Sequence, residues 1–167
     1  SMTHDVAVKQ SAQLLTTAFH ETEVLDSTLQ SKKAALSAYY QNEFDATFQQ
    51  KNPGENNSSY SQLNALDDKG LHFQYQYIAQ NQFPLGNKNK LNSAGNTPYD
   101  IHHEKFHGMY ADFLERFGYY DIFVVDAKSG YIVYSVFKEI DYATSLKSGP
   151  FANSNLAKTF NKVLNNP

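Results

Sequence analysis

The chain has 167 residues, 41% of them hydrophobic and 14% aromatic, with no cysteine and a formal charge of −3. It is long enough for one domain with its own core and too apolar for a disordered chain. The slightly negative charge, without any Lys/Arg stripe, argues against a nucleic-acid binder, and the lack of cysteine excludes disulfide scaffolds and thiolate zinc sites.

The opening Ser1-Met2 reads as a cloning remnant. The first third reads as helix. Val8, Leu15 and Phe19 begin an apolar stripe, and Leu25, Leu29, Leu36, Tyr40, Phe44 and Phe48 continue one at spacings of four and seven. The polar stretch "HETEVLDSTLQSKK" between them fits two helices or one long helix with a weak middle. "KNPGENNSSYS" is loop by composition. A second helix is expected from "DDKGLHFQYQYIAQN", with Leu71, Tyr75, Ile78 and Ala79 on one side. Tyr75 and Tyr77 point apart on such a helix, so at most one faces a pocket.

The long polar connection "FPLGNKNKLNSAGNTP" follows. Its Lys88 and Lys90 fit a solvated connection, or a lid over a carboxylate or phosphate. A third helix is predicted from Pro98 to Phe117, stopped by Gly118. "YYDIFVVD" and "YIVYSVFKE", joined by "AKSG", then predict a β-hairpin over 119–139, apolar on both faces and so covered on two sides. "IDYATSLKSGPF" reads as irregular, and a last helix near Ser154–Leu164 turns Leu156, Phe160 and Leu164 inward. The fold class is therefore α+β. No apolar run approaches the roughly 18 to 20 residues of a membrane span. A hairpin rarely stands alone, so further strands are expected from chain not present here or from a partner.

His103-Glu104-Lys105-Phe106-His107 matches H-E-x-x-H, in which two histidines one helical turn apart bind zinc and the glutamate activates water. No histidine follows His107 to complete the extended form. At about 100° per residue, Phe106, Met109, Tyr110, Phe113, Leu114 and Phe117 share an arc with His103, with His107 at its edge. Glu104 and Glu115 fall on the solvent side. The ordinary reading is two half-buried histidines beside a core stripe. The alternative is a weak zinc site using His102 or His103 with His107. No metal, cofactor or catalytic role is assigned.

From residue 71 onward, "LHFQYQYIAQNQFPLGNKNKL" and "FLERFGYYDIFVVDAKSGYIVYSVFKEIDYATSLKSGPFANSNLAKTF" resemble the extracytoplasmic sensor domains of bacterial methyl-accepting chemotaxis proteins. Related segments precede membrane-bound cyclases and histidine kinases, and the nearest fold group is the PAS-like periplasmic type, also called Cache or PDC. "LSAYYQNEF" is similar to the segment before that core, so the resemblance covers about residues 36 to 160. It implies a single sensor domain over 1–167, with a helical region over 1–50 and a PAS-like region over 71–164. In such domains a long N-terminal helix leads into an antiparallel sheet flanked by helices, and "KEIDYATSLKSGP" folds over the sheet to shape a ligand cavity. More strands and a second membrane helix usually follow, so the sheet is expected to be incomplete here.

The resemblance further implies a periplasmic part of a membrane-anchored receptor, a homodimer through the N-terminal helix, and reversible binding of a small molecule without turnover. Pocket residues are inferred from chemistry. Phe123, Tyr134, Phe137 and Tyr142 offer an aromatic lining, while Lys138 and Asp141 offer a cation and an anion for an amino acid, carboxylate or amine. The ordinary readings beside these are core aromatics and a solvated Lys–Asp pair. Two other classes stay open: an interaction or dimerisation module without a small-molecule ligand, and a zinc hydrolase.

Overall fold

The structure, a computed structural model, describes residues 3–55 and 58–166. Ser1, Met2 and residues 56–57 of the loop read at 51–61 lie outside that range. Helix α1 (His4–Glu21) begins where the Thr3 hydroxyl accepts the Val6 N–H at 3.3 Å. It buries Leu15 and Phe19 and ends at Thr22, so the first third is broken into separate helices. Lys69 helps to fix the break. Its ammonium donates to the carbonyls of Phe19 and His20, both at 3.0 Å, and of Thr22 at 2.5 Å. A cation there satisfies the last carbonyls and favours the negative end of the helix dipole.

Helix α2 (Asp26–Tyr39) starts after Leu25, which is 63% exposed and lies off the predicted apolar stripe. It runs on through a π-helical turn, Tyr40–Asp45, into α3 (Ala46–Lys51). The loop region contains a short helix the composition hid, α4 (Tyr60–Asn64), anchored by buried Leu63. Helix α5 (Asp68–Gln74) also passes into a π turn, Tyr75–Ala79. Helix α6 (Pro98–Phe117) has the predicted bounds. Thr97 and Asp100 form a capping box at its start, and Gly118 ends it at φ +68°, which suits glycine. Helices α1 and α6 pack together, with Ser11 and Tyr110 hydroxyls 2.6 Å apart.

The hairpin is shorter than its sequence signal. Strands β1 (Phe123–Val125) and β2 (Ile132–Ser135) pair antiparallel, Phe123 with Ser135 and Val124 with Tyr134, and a bulge follows Val124. Strand β2 is buried throughout and β1 is half-buried, so cover on both faces holds for β2 only. The segment after the hairpin returns beside β2 as an irregular third rail. Ile132 donates to Thr144 at 2.9 Å, Ala143 to Ile132 at 3.0 Å and Leu146 to Gly130 at 2.7 Å. Among the described residues the sheet has two strands.

Helix α7 (Asn155–Asn165) buries only Ala157, against Ile132 and Leu146. Leu156 and Phe160 are half-buried, whereas Leu164 is 36% exposed rather than inward, because α7 meets the body of the protein only along its first turns. The fold is thus mixed α+β and mostly helical. No described helix is long and apolar enough to cross a membrane.

Candidate functional site

The main core is unusually rich in tyrosine hydroxyls, and they are linked. Tyr99 on α6 donates to the Val133 carbonyl at 2.6 Å, which leaves its oxygen to accept from Tyr142 at 2.8 Å. Tyr77 donates to Asp100 at 2.5 Å. Tyr40 donates to Gln74 at 2.6 Å, and the Gln74 amide donates to the carbonyls of Ile140 (2.7 Å) and Tyr142 (2.9 Å). These bonds pin α2, α5 and α6 to the hairpin and its return segment. Burial raises the pKa of each of these phenols, so they act as neutral donors.

Inside this network sits Lys138, 1% exposed. It follows β2 at φ +52°, a backbone setting uncommon for a non-glycine residue, and its N–H donates to the Ser135 hydroxyl at 3.1 Å. Its side chain points inward. The ammonium lies 4.2 Å from the Tyr134 ring centre, 5.2 Å from Tyr142 and 5.6 Å from Tyr77, and contacts the Ser135 carbonyl. Burial pushes its pKa down to about 7, opposed by the carboxylate of Asp121. That carboxylate is tied to the N–H groups of Ile122, Val136 and Phe137 at 2.7 to 3.3 Å. Among the described residues the ion pair within 4 Å is His20–Asp126, so Lys138 has no bonded counter-ion.

His103 and His107 line the same region, their rings stacked at 4.7 Å and 21°. They are fully buried, deeper than the half-buried expectation, because the 81–97 connection folds over them. Backbone carbonyls set both tautomers. His107 Nε2 donates to Asn89 at 2.6 Å, so Nδ1 accepts the Tyr134 hydroxyl at 2.6 Å. His103 Nδ1 donates to Asn92 at 2.6 Å, which leaves Nε2 a bare acceptor, buried and without a partner. Burial, then the nearby Lys138 charge, lowers both pKa values, His107 to about 4. Glu104 is exposed on the far side of α6, and no group of three or more His, Asp or Glu among the described residues can hold a metal. A zinc-activated water has no base beside it here.

Lys138, Tyr134 and Tyr142 come together as one aromatic box around a cation. Asp141 does not join it: its Oδ1 is enclosed without a partner, and burial, then Glu139 and Asp121, raises its carboxyl pKa to about 7. Lys138 and Asp141 are therefore not a solvated pair. Phe137 is half-buried against the main core. Phe123 packs instead with Ile132, Leu146 and Ala157 under α7. Tyr77, Tyr99, Asp100 and Asp121 also belong to this region, and their place in it carries no local sequence signal. Of the two tyrosines in the π turn after α5, Tyr77 faces the box and Tyr75 lies under Lys32. Lys88 is no solvated residue either. It is 3% exposed, donates to the Asn81 carbonyl at 2.9 Å and lies over Tyr39, while Lys90 is exposed.

Side chains fill the box, and open clefts lie at the periphery. One of about 430 Å³ runs between α2 and residues 79–88, and one of about 320 Å³ lies beside Tyr120 and Glu139. What the fold and site define is a mixed α+β domain with a desolvated lysine and a histidine with one bare ring nitrogen in a tyrosine-lined core. No family, curated protein or solved structure matches the chain.

Proposed function

We propose that this chain is a ligand-sensing domain of PAS-like type, the extracytoplasmic part of a membrane-anchored chemoreceptor or related transducer. The observation that carries the reading is Lys138, an ammonium enclosed by three tyrosine rings with no bonded carboxylate. A buried charge of this kind is costly, and strained or perturbed groups of this kind cluster at functional sites. The bare Nε2 of His103 beside it supplies a second unspent hydrogen-bonding position. A small molecule entering between α6 and the hairpin displaces the lysine from its box and uses both groups. The resemblance of residues 36–160 to chemoreceptor sensor domains supports the role, and implies a periplasmic location and a dimer through α1.

A route for signal output follows from packing. Tyr134 lies tilted against Tyr110 with ring centres 5.0 Å apart, and Tyr110 bonds Ser11 on α1. Movement of Tyr134 on binding therefore bears on α1 through one intervening side chain. It shifts signalling states only in proportion to the ligand's differential affinity for them.

A second reading, an interaction or dimerisation module, is favoured by the filled box and by exposed aromatics at the end of α6. Phe117 is 60% exposed, Tyr119 54% and Tyr120 89%. Thermal unfolding against amino acids, carboxylates, amines and zinc with a chelator control separates the two. A ligand at about 100 times its Kd adds about 2.7 kcal/mol, raising the midpoint by about 5 to 11 °C. The sensor reading requires that shift with one organic class and its loss in Lys138→Met. A flat panel, with self-association lost in Tyr120→Ser, gives the interaction module.

A further inference from the structure

We infer that Lys138 is a nucleophilic lysine, and that a small aldehyde or ketone, entering as the filled tyrosine box opens, is held as a reversible imine on its Nζ. The inference rests on the ligand-site reading above and names the chemistry of that site. Other enclosed lysines have ordinary work: Lys69 closes the end of α1, Lys88 bonds Asn81, and Lys32 lies 3.0 Å from His72 Nδ1. Lys138 contacts a single backbone oxygen and three ring faces. Such enclosure favours the free amine, the form that attacks a carbonyl, and its pKa falls to about 7.

The groups around it suit the remaining steps. The Nζ lone pair forms a bond to the carbonyl carbon while the C=O π pair moves to oxygen. A proton passes from nitrogen to that oxygen, giving a carbinolamine. The C–O bond then breaks, the oxygen takes a second proton and leaves as water, and the nitrogen lone pair closes the C=N bond. Carbonyl, amine and one proton from solvent give the protonated imine and water, and loss of that proton leaves the neutral imine, with no redox change. His103 Nε2, bare and packed against the same Tyr77 and Tyr134 rings, is the acceptor this inference assigns to take the proton and return it once a ligand lies between it and Nζ. The ring faces and Asp121 stabilise the cationic, protonated imine.

The test incubates the whole chain at pH 7 with acetaldehyde, acetone or pyruvate and cyanoborohydride, and maps the reduced adducts by mass spectrometry. Thermal unfolding with pyruvate and with lactate, its alcohol counterpart, runs in parallel. Among the thirteen lysines, Lys138 should be modified about tenfold faster or more, because an ordinary lysine is almost wholly protonated at pH 7. Lys138→Arg should lose that adduct while keeping its circular dichroism, and His103→Gln should slow trapping. Adducts spread evenly over surface lysines overturn the imine. A midpoint shift with pyruvate and lactate alike, without trapping at Lys138, overturns the imine but leaves the non-covalent site standing. No shift and no trapping overturn both.

Discussion

The Tyr134 hydroxyl and His107 Nδ1 lie 2.6 Å apart, and the tautomer of His107 makes the tyrosine the donor. One bond thus joins β2 to α6 and fixes the ring that forms the nearest wall of the lysine box. Its partners are buried, so the group left behind by a deletion is not rescued by water. Tyr134→Phe is expected to cost about 1 to 3 kcal/mol, the penalty for an unpaired buried acceptor. Urea unfolding measures this, and an unchanged m-value will show that the denatured state is not involved.

Asp100 carries two elements at once. Its Oδ2 accepts from the Thr97 hydroxyl (2.7 Å) and N–H (3.1 Å), and its Oδ1 accepts from Tyr77 at 2.5 Å. The start of α6 and the Tyr77 wall therefore share one carboxylate. Thr97→Ala removes only the cap and is expected to cost about 1 kcal/mol. Asp100→Ala removes the carboxylate half of the capping box and orphans the Tyr77 hydroxyl, with an expected loss of about 2 to 4 kcal/mol. Equal losses in the two variants count against the shared role.

The contrast between α6 and the lysine box explains what was legible in the sequence. Helix α6 has its bounds written locally, with Thr97 before it, Pro98 opening it and Gly118 after it. The hairpin is equally local, since β-branched and aromatic runs flank a short turn. The π turns at Tyr40–Asp45 and Tyr75–Ala79 leave no compositional mark, because apolar residues four apart suit either helix type. The break after α1 depends on Lys69, far along the chain. The sequence marks Lys138 as a candidate but does not show its burial. A lysine in "KEID" after a strand reads as solvated, whereas this one takes a positive φ and is buried. Tyr77, Tyr99 and His103 meet it through helix packing that spacing cannot report.

Helix α7 shows the same limit and gives a prediction. Its Leu156, Phe160 and Leu164 read as one inward face, yet Ala157 is the residue wholly enclosed, against Ile132 and Leu146. A larger side chain there has no room without displacing β2. Ala157→Leu is expected to destabilise by about 1 to 3 kcal/mol. Leu164→Ser, at an exposed position, should stay within about 0.5 kcal/mol. Thermal unfolding of the two variants decides between the packing seen here and the amphipathic pattern alone.

The charge on Lys138 yields a pH signature. Its folded pKa of about 7 lies below the ordinary value of 10.5. Between those values the unfolded chain binds the extra proton, so this group makes folding more favourable as pH rises from about 7 towards 10. Below pH 7 both states carry the charge, and the full cost of burying it is present. Lys138→Met fills similar space without a charge and has no such dependence. The variant is therefore expected to be more stable than the parent at pH 6. Its advantage should shrink above pH 7 by up to about 1.4 kcal/mol per pH unit. Taking the difference between parent and variant removes the titration of the other groups common to both. Paired urea curves from pH 6 to pH 10 measure it, and a constant difference across that range would mean that Lys138 keeps its proton in the folded state.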